Sequence, residues 1–130
     1  MLLHVSNVLT KDQVSEIRKI IDEADWADGS ITAGTQSAKT KNNRQLPEDG
    51  AAAQKARNIV LQALSINAKY LTGALPKKIY PPLFNRYDGS NNSFGNHIDN
   101  SVRTHAATGR HVRTDVSCTL FLSEPEDYEG

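Results

Sequence analysis

Apolar residues recur at helical spacing early in the chain and alternate at strand spacing late in it. Val14, Ile17, Ile21 and Ala24 fall three or four apart, while Lys11, Glu16, Lys19 and Glu23 take the other faces, so an amphipathic helix is predicted here. Thr10 precedes it with Gln13 three residues on, the sequence form of a capping box. The pattern fades from Trp26 to Gly29, and Trp26 reads as a packing anchor at the helix end. Ahead of this helix, residues 2–5 read as a short strand. Residues 28–50 are polar and irregular, with room for short strands near Ile31 and Thr40. A second helix is expected over about 51–71, striped by Ala56, Ile59, Ala63, Ile66 and Tyr70, with Gly73 as its C-cap and Pro76 as its stop.

Strand character follows. Residues 79–87 are rich in strand formers, although Pro81-Pro82 confines them to an edge or a strand entrance. Residues 88–92 form a turn and 94–99 a short extended segment. The clearest strand has Val112, Val116, Cys118, Leu120 and Leu122 alternating with Arg113, Asp115, Ser117, Thr119 and Phe121. Helices come first and strands later, without regular βαβ alternation, which argues against a doubly wound sheet.

Composition narrows the function classes. The 130 residues are one domain's worth of chain, and 15 basic residues balance 15 acidic ones. A formal charge of zero argues against nucleic-acid or membrane-surface binding driven by bulk charge. No apolar run approaches the roughly 18 residues of a membrane span. The start, Met1-Leu2-Leu3-His4-Val5, lacks both the length and the basic character of a signal peptide. One cysteine, Cys118, forms no internal disulfide and reads as an inert core thiol in a reducing compartment, so the expected location is cytoplasmic.

No glycine-rich phosphate loop, nucleophile elbow or paired-cysteine zinc pattern occurs. The segment that could carry chemistry is His97-Ile98-Asp99. In an extended backbone the side chains at i and i+2 leave the same face, so an imidazole and a carboxylate can reach one cation with Ile98 turned away. Non-haem Fe(II) oxygenases use this pairing within a 2-His-1-carboxylate triad. The same spacing also describes a surface histidine beside a turn aspartate. From Ser101 to Arg113 the chain carries Arg103, Arg110, Arg113, His105 and His111 without an acidic residue, a basic rim that favours an anionic small molecule.

Several segments occur together in a recognisable order: Asn7-Val8-Leu9-Thr10, Thr32-Ala33-Gly34, Lys41-Asn42-Asn43, Gln45-Leu46-Pro47-Glu48, Pro81-Pro82-Leu83-Phe84-Asn85-Arg86-Tyr87, Phe94-Gly95-Asn96-His97-Ile98-Asp99-Asn100, Thr119-Leu120-Phe121-Leu122-Ser123 and Tyr128-Glu129-Gly130. Together they resemble the amino-terminal part of the bacterial PKHD-type hydroxylases, a branch of the prolyl/lysyl hydroxylase-like Fe(II)/2-oxoglutarate oxygenases. The resemblance implies an α+β, mainly β fold, with a double-stranded β-helix (jelly-roll) core, incomplete in this chain, and two supporting helices on the N-terminal side. It implies one domain over 1–130, with helical support over about 1–76 and the first jelly-roll strands over 77–130.

By the same resemblance His97 and Asp99 are two of three iron ligands, and Tyr87 helps hold 2-oxoglutarate, although the turn after Tyr87 departs from the family's glycine spacing. No catalytic residue beyond the metal ligands is implied. The family's second iron-binding histidine and its 2-oxoglutarate-binding arginine would lie past Gly130. Implied cofactors are Fe(II), 2-oxoglutarate as co-substrate and ascorbate as reductant. The implied reaction is hydroxylation of an unidentified small-molecule or peptide substrate with O2, releasing succinate and CO2. No nucleic-acid or membrane partner is expected; a homodimer would cover bare strand edges. One alternative is a truncated, non-catalytic metal- or ligand-binding barrel. Another is a zinc hydrolase site using His97, Asp99 and one of His105 or His111, although both of these read as surface residues.

Overall fold

In the computed structural model, residues 1–32, 39–90 and 92–128 are described. Ala33 and Gly34, Asn91 of the turn, and Glu129-Gly130 therefore lie outside the described residues. The first helix, α1, is Lys11–Asp22. Its capping box is formed: Thr10 Oγ1 accepts from Gln13 N–H at 3.1 Å, and Gln13 Oε1 accepts from Thr10 N–H at 2.9 Å. Ile17 and Ile21 are buried as the periodicity requires. Replacing Thr10 by alanine orphans a donor at the first turn and should cost about 1 kcal/mol in urea unfolding, with an unchanged m-value.

Trp26 anchors the helix end. Its indole Nε1 donates to the Ile21 carbonyl at 2.9 Å, a second bond to an acceptor that also takes Ala24 N–H at 3.3 Å. Arg86 lies over the Trp26 ring, 4.3 Å from its centroid, and pairs with Asp22 at 2.6 Å.

The helix expected over 51–71 is two helices, α2 at Ala51–Ser65 and α3 at Ala68–Ala74. Asn67 divides them. Its Oδ1 accepts from Tyr70 N–H at 2.9 Å and starts a new helix. Ile66, placed on the buried stripe by the spacing, is 84% exposed at the break, whereas Ala53, Ala56, Val60 and Ala63 are buried. Gly73 is not the C-cap; Leu75 takes the left-handed position, with φ of 45°. Gly73 serves close packing instead, because a Cβ there would lie 2.2 Å from Leu3 Cδ2. That contact belongs to residues 2–5, which run without strand pairing.

Among the described residues, seven short strands form three antiparallel sheets. β1 (Ala27–Asp28), β3 (Arg44–Gln45) and β4 (Asn85–Arg86) make one, in the order β1-β3-β4. β2 (Lys41–Asn42) pairs with β5 (Ser93–Phe94), with Lys41 opposite Phe94. β6 (Val102–Thr104) and β7 (His111–Arg113) form a hairpin. Three strands thus precede α2, contrary to the helices-first order, and two of them pair with strands beyond residue 76. Ile31 lies in a 3-10 turn, Gly29–Thr32, rather than a strand. Of residues 79–87, only Asn85 and Arg86 pair.

The alternating stretch that reads as the clearest strand pairs only at His111–Arg113. Beyond Thr114 it has no ladder partner among the described residues. Alternation specifies an extended backbone but not a neighbour to bond with. Val116 and Phe121 are 62% and 59% exposed, and Cys118 is exposed, so the thiol is not a core residue. Leu122 returns to pack on the core, which joins Ile17, Ile21, Leu46, Ala53, Ala56, Val60 and Phe84. The alanines on α2 let α1 approach closely. The result among the described residues is α+β: three α-helices with small antiparallel sheets. No helix among the described residues is long and apolar enough to cross a membrane.

Candidate metal-ligand site

β5 ends at Phe94, and the residues just after it carry the site. Gly95 N–H donates to the Thr40 carbonyl at 3.1 Å, extending the β2–β5 pairing by one bond. The Gly95 carbonyl oxygen lies 2.8 Å from His97 Nδ1. A carbonyl only accepts, so this contact assigns the imidazole proton to Nδ1. The Phe94 ring stacks on the imidazole with centroids 3.7 Å apart and planes 8° apart. Hydrogen bond and stack together fix the ring's tilt and direction.

That fixed ring aims Nε2 at Asp99 Oδ1, 3.2 Å away. Ile98 points elsewhere and is 87% exposed. The convergence arises without sheet pairing, since residues 97–100 lie outside every strand. With Nδ1 protonated, a neutral imidazole presents a lone pair to a carboxylate oxygen, two acceptors face to face. A cation between them, whether a second proton or a metal, removes the conflict. Two donors each about 2.1 Å from one metal and at right angles lie about 3.0 Å apart. The His97–Asp99 pair fits two adjacent positions of such a centre. The His97 side chain is 26% exposed and that of Asp99 65%, leaving the carboxylate side open to an incoming ion.

The other candidates are placed differently. Tyr87 follows β4 directly and is 48% exposed, and among the described residues no hydrogen bond joins it to His97 or Asp99. His105 Nδ1 meets Thr108 Oγ1 at 3.0 Å, and His111 Nδ1 meets Thr104 Oγ1 at 2.9 Å, both on the β6–β7 hairpin. No group of three His, Cys, Asp or Glu side chains able to hold a metal occurs among the described residues. The hairpin histidines therefore supply no third ligand there, and the zinc triad is not assembled.

The basic stretch divides. Arg113 pairs with Asp115 at 2.9 Å, while Arg103 turns inward over the Tyr80 ring, 4.8 Å from its centroid. The Tyr80 hydroxyl donates to Glu48 Oε1 at 2.8 Å, and burial followed by that bond pushes its pKa up. Sequence reasoning missed the Gly95 carbonyl and Lys41. Every residue has a carbonyl, so only geometry singles one out. Lys41 stands opposite Phe94 through a register that joins positions more than fifty apart, and no local pattern encodes that.

No family model matches the chain. Curated relatives do, over its whole length. A PKHD-type hydroxylase of Xanthomonas campestris pv. campestris (strain B100) is 56% identical over 132 residues, covering 100% of this chain and 58% of the relative. A PKHD-type hydroxylase of Burkholderia thailandensis is 52% identical over 130 residues, covering 100% of this chain and 57% of the relative. One of Caulobacter sp. (strain K31) is 50% identical with the same coverage. The chain thus spans a little more than half the length of the curated relatives it matches.

Proposed function

The chain belongs to the PKHD-type hydroxylases, and from that premise we propose that it carries the first two metal ligands of an Fe(II)- and 2-oxoglutarate-dependent dioxygenase that hydroxylates a small-molecule or peptide substrate. His97 Nε2 and Asp99 Oδ1 would hold the iron, and the observation that carries the reading is their convergence at 3.2 Å with the His97 proton fixed on the far nitrogen. Bound ferrous iron together with 2-oxoglutarate supplies O2 activation, coupling oxidation of the keto acid to succinate and CO2 with insertion of one oxygen atom into a C–H bond.

The chain's own residues do the arranging. The Gly95 carbonyl holds the Nδ1 proton, which keeps Nε2 available and raises its basicity. Phe94 covers one face of the imidazole against water. The Asp99 carboxylate offsets metal charge, and the Tyr87 phenol is offered to the co-substrate. Ascorbate would supply the reducing equivalents for such a centre. The two sheets and the hairpin are read as the first part of a jelly-roll barrel, in one domain over 1–130 with the helices as its outer support. A cytoplasmic setting matches the single cysteine.

The test is spectroscopic. Anaerobic addition of Fe(II) and 2-oxoglutarate should give a visible charge-transfer band that neither gives alone. Absence of the band with metal bound would count against 2-oxoglutarate as the co-substrate. A second reading, a metal-binding module without turnover, is favoured by the two-ligand set among the described residues. Formation of succinate from 2-oxoglutarate by this chain would dismiss it.

A further inference from the structure

The two ligands of the site are not equally secured. His97 is oriented by the Gly95 carbonyl and by the stacked Phe94 ring, which has the Lys41 ammonium 5.5 Å from its centroid. Asp99 is held less directly. Its side chain is 65% exposed, and among the described residues its only polar contact is His97 Nε2. The direction of the carboxylate must therefore come from the backbone that carries it. Residues 97–100 belong to no strand, so no ladder supplies that support.

The backbone just past Asp99 is held by one residue, Thr114, which follows β7 and is partly buried. Its N–H donates to the Ser101 carbonyl at 2.9 Å, and its Oγ1 hydroxyl donates to the Asn100 carbonyl. The first bond prolongs the β6–β7 pairing, in which Val102 stands opposite Arg113. The second lies outside that pairing, requires a side-chain hydroxyl, and reaches one residue closer to the carboxylate. Among the described residues no other hydrogen bond reaches the backbone of residues 98–100.

The hairpin that leads into Thr114 is itself anchored. Arg103 of β6 lies on the Tyr80 ring, 4.8 Å from its centroid, and His105 stands edge-on to the same ring at 6.1 Å. The Tyr80 hydroxyl donates to Glu48, whose carbonyl accepts from Arg57 of α2 at 2.7 Å. A continuous set of contacts thus runs from α2 to the residue after Asp99. The Thr114 hydroxyl is its last link.

We propose that Thr114 is a positioning residue for the metal site: its hydroxyl fixes the backbone beyond Asp99 and so aims the carboxylate at the cation shared with His97. The assignment rests on the metal-ligand reading above and adds a residue that is itself no ligand. A donor group fixed in advance loses less conformational freedom when it binds, so affinity follows how firmly its backbone is held.

The test has two arms. In the isotopically labelled, metal-free chain, three-bond couplings to the Asp99 carboxyl carbon report its χ1 populations. One rotamer should dominate in the unaltered protein and in Thr114→Ser, which keeps the hydroxyl. Thr114→Val keeps the shape without the donor, and there the populations should spread over several rotamers. Thr104→Val is the control. It removes the Thr104 Oγ1–His111 Nδ1 contact at 2.9 Å from the same hairpin and should leave Asp99 unchanged. Dispersed amide spectra identify the variants that remain folded.

In the second arm Co(II) is titrated. Thr114→Val should bind it about tenfold more weakly, the lower end of what loss of a supporting group costs a metal site, and Thr114→Ser should stay within about twofold. In an Asp99→Ala background, Thr114→Val should cost nothing further, because the carboxylate it aims is gone. Unchanged Asp99 rotamers in Thr114→Val, or an equal change in Thr104→Val, would overturn the proposal. So would a Co(II) affinity that Thr114→Val leaves unaltered. A chain that binds no Co(II) yet shows the rotamer change keeps Thr114 as the support of Asp99 and counts against the metal reading alone.

Discussion

Replacing His97 by alanine is expected to lower affinity for Co(II), a spectroscopic stand-in for ferrous iron, by about a hundredfold or more. Loss of a partner outside the coordination sphere already costs ten- to a hundredfold, and His97 would be a ligand itself. Its imidazole is held on two sides, by the Gly95 carbonyl and the Phe94 ring, with Nε2 aimed at the Asp99 carboxylate. No water-filled substitute reproduces that direction. Asp99→Asn should also weaken binding, through charge alone, since the amide keeps the size of the carboxyl. Neither change touches the core of Ile17, Ile21 and Val60, so stability should move by less than about 0.5 kcal/mol. Isothermal titration of Co(II) with a parallel thermal melt separates the two effects. Undiminished affinity in His97→Ala would remove the imidazole from the site.

The same pair illustrates how far local pattern reaches. The i, i+2 spacing of His97 and Asp99 is written in the chain, and so is the Thr10/Gln13 cap, because both are interactions among near neighbours. Ile17 and Ile21 are legible for the same reason: a helix repeats its own geometry. The break at Ile66 is signalled only by Asn67, a single capping residue set within a continuous apolar stripe that predicts one helix. Residues 116–122 fail differently. Their alternation predicts a strand, but a strand is made by its neighbour, and among the described residues that segment has no ladder partner. The pattern makes Gly73 a helix C-cap, whereas its small size serves Leu3, a contact set by tertiary packing. The orientation of His97 likewise depends on a backbone carbonyl and on a ring held by cross-strand register. Spacing alone reveals neither.

Gly29→Ala should produce the largest loss of stability, about 3 kcal/mol or more, because the added methyl group has nowhere to go. Its Cβ would fall 1.7 Å from Asn43 Oδ1 and 2.9 Å from the Asn43 backbone oxygen. Asn43 is 2% exposed, so its amide cannot swing into water, and its Nδ2 is engaged with Asn85 Oδ1 at 3.4 Å. The backbone oxygen is equally constrained, since it accepts from Gly29 N–H at 2.9 Å. Relief therefore requires the chain between β2 and β3 to shift. β2 carries Lys41 opposite Phe94, so the disturbance should reach the metal-ligand pair as well as the β1-β3-β4 sheet. A suitable comparison is Gly109→Ala, where φ is 66° but the space around the new methyl is open. Backbone strain alone should limit that cost to about 1 kcal/mol. Adding Asn43→Ala to Gly29→Ala should restore part of the loss, since the side-chain clash disappears while the backbone contact stays. Urea unfolding of the four proteins measures all of this. A Gly29→Ala cost no greater than that of Gly109→Ala would mean that Asn43 does not pack against Gly29 as described.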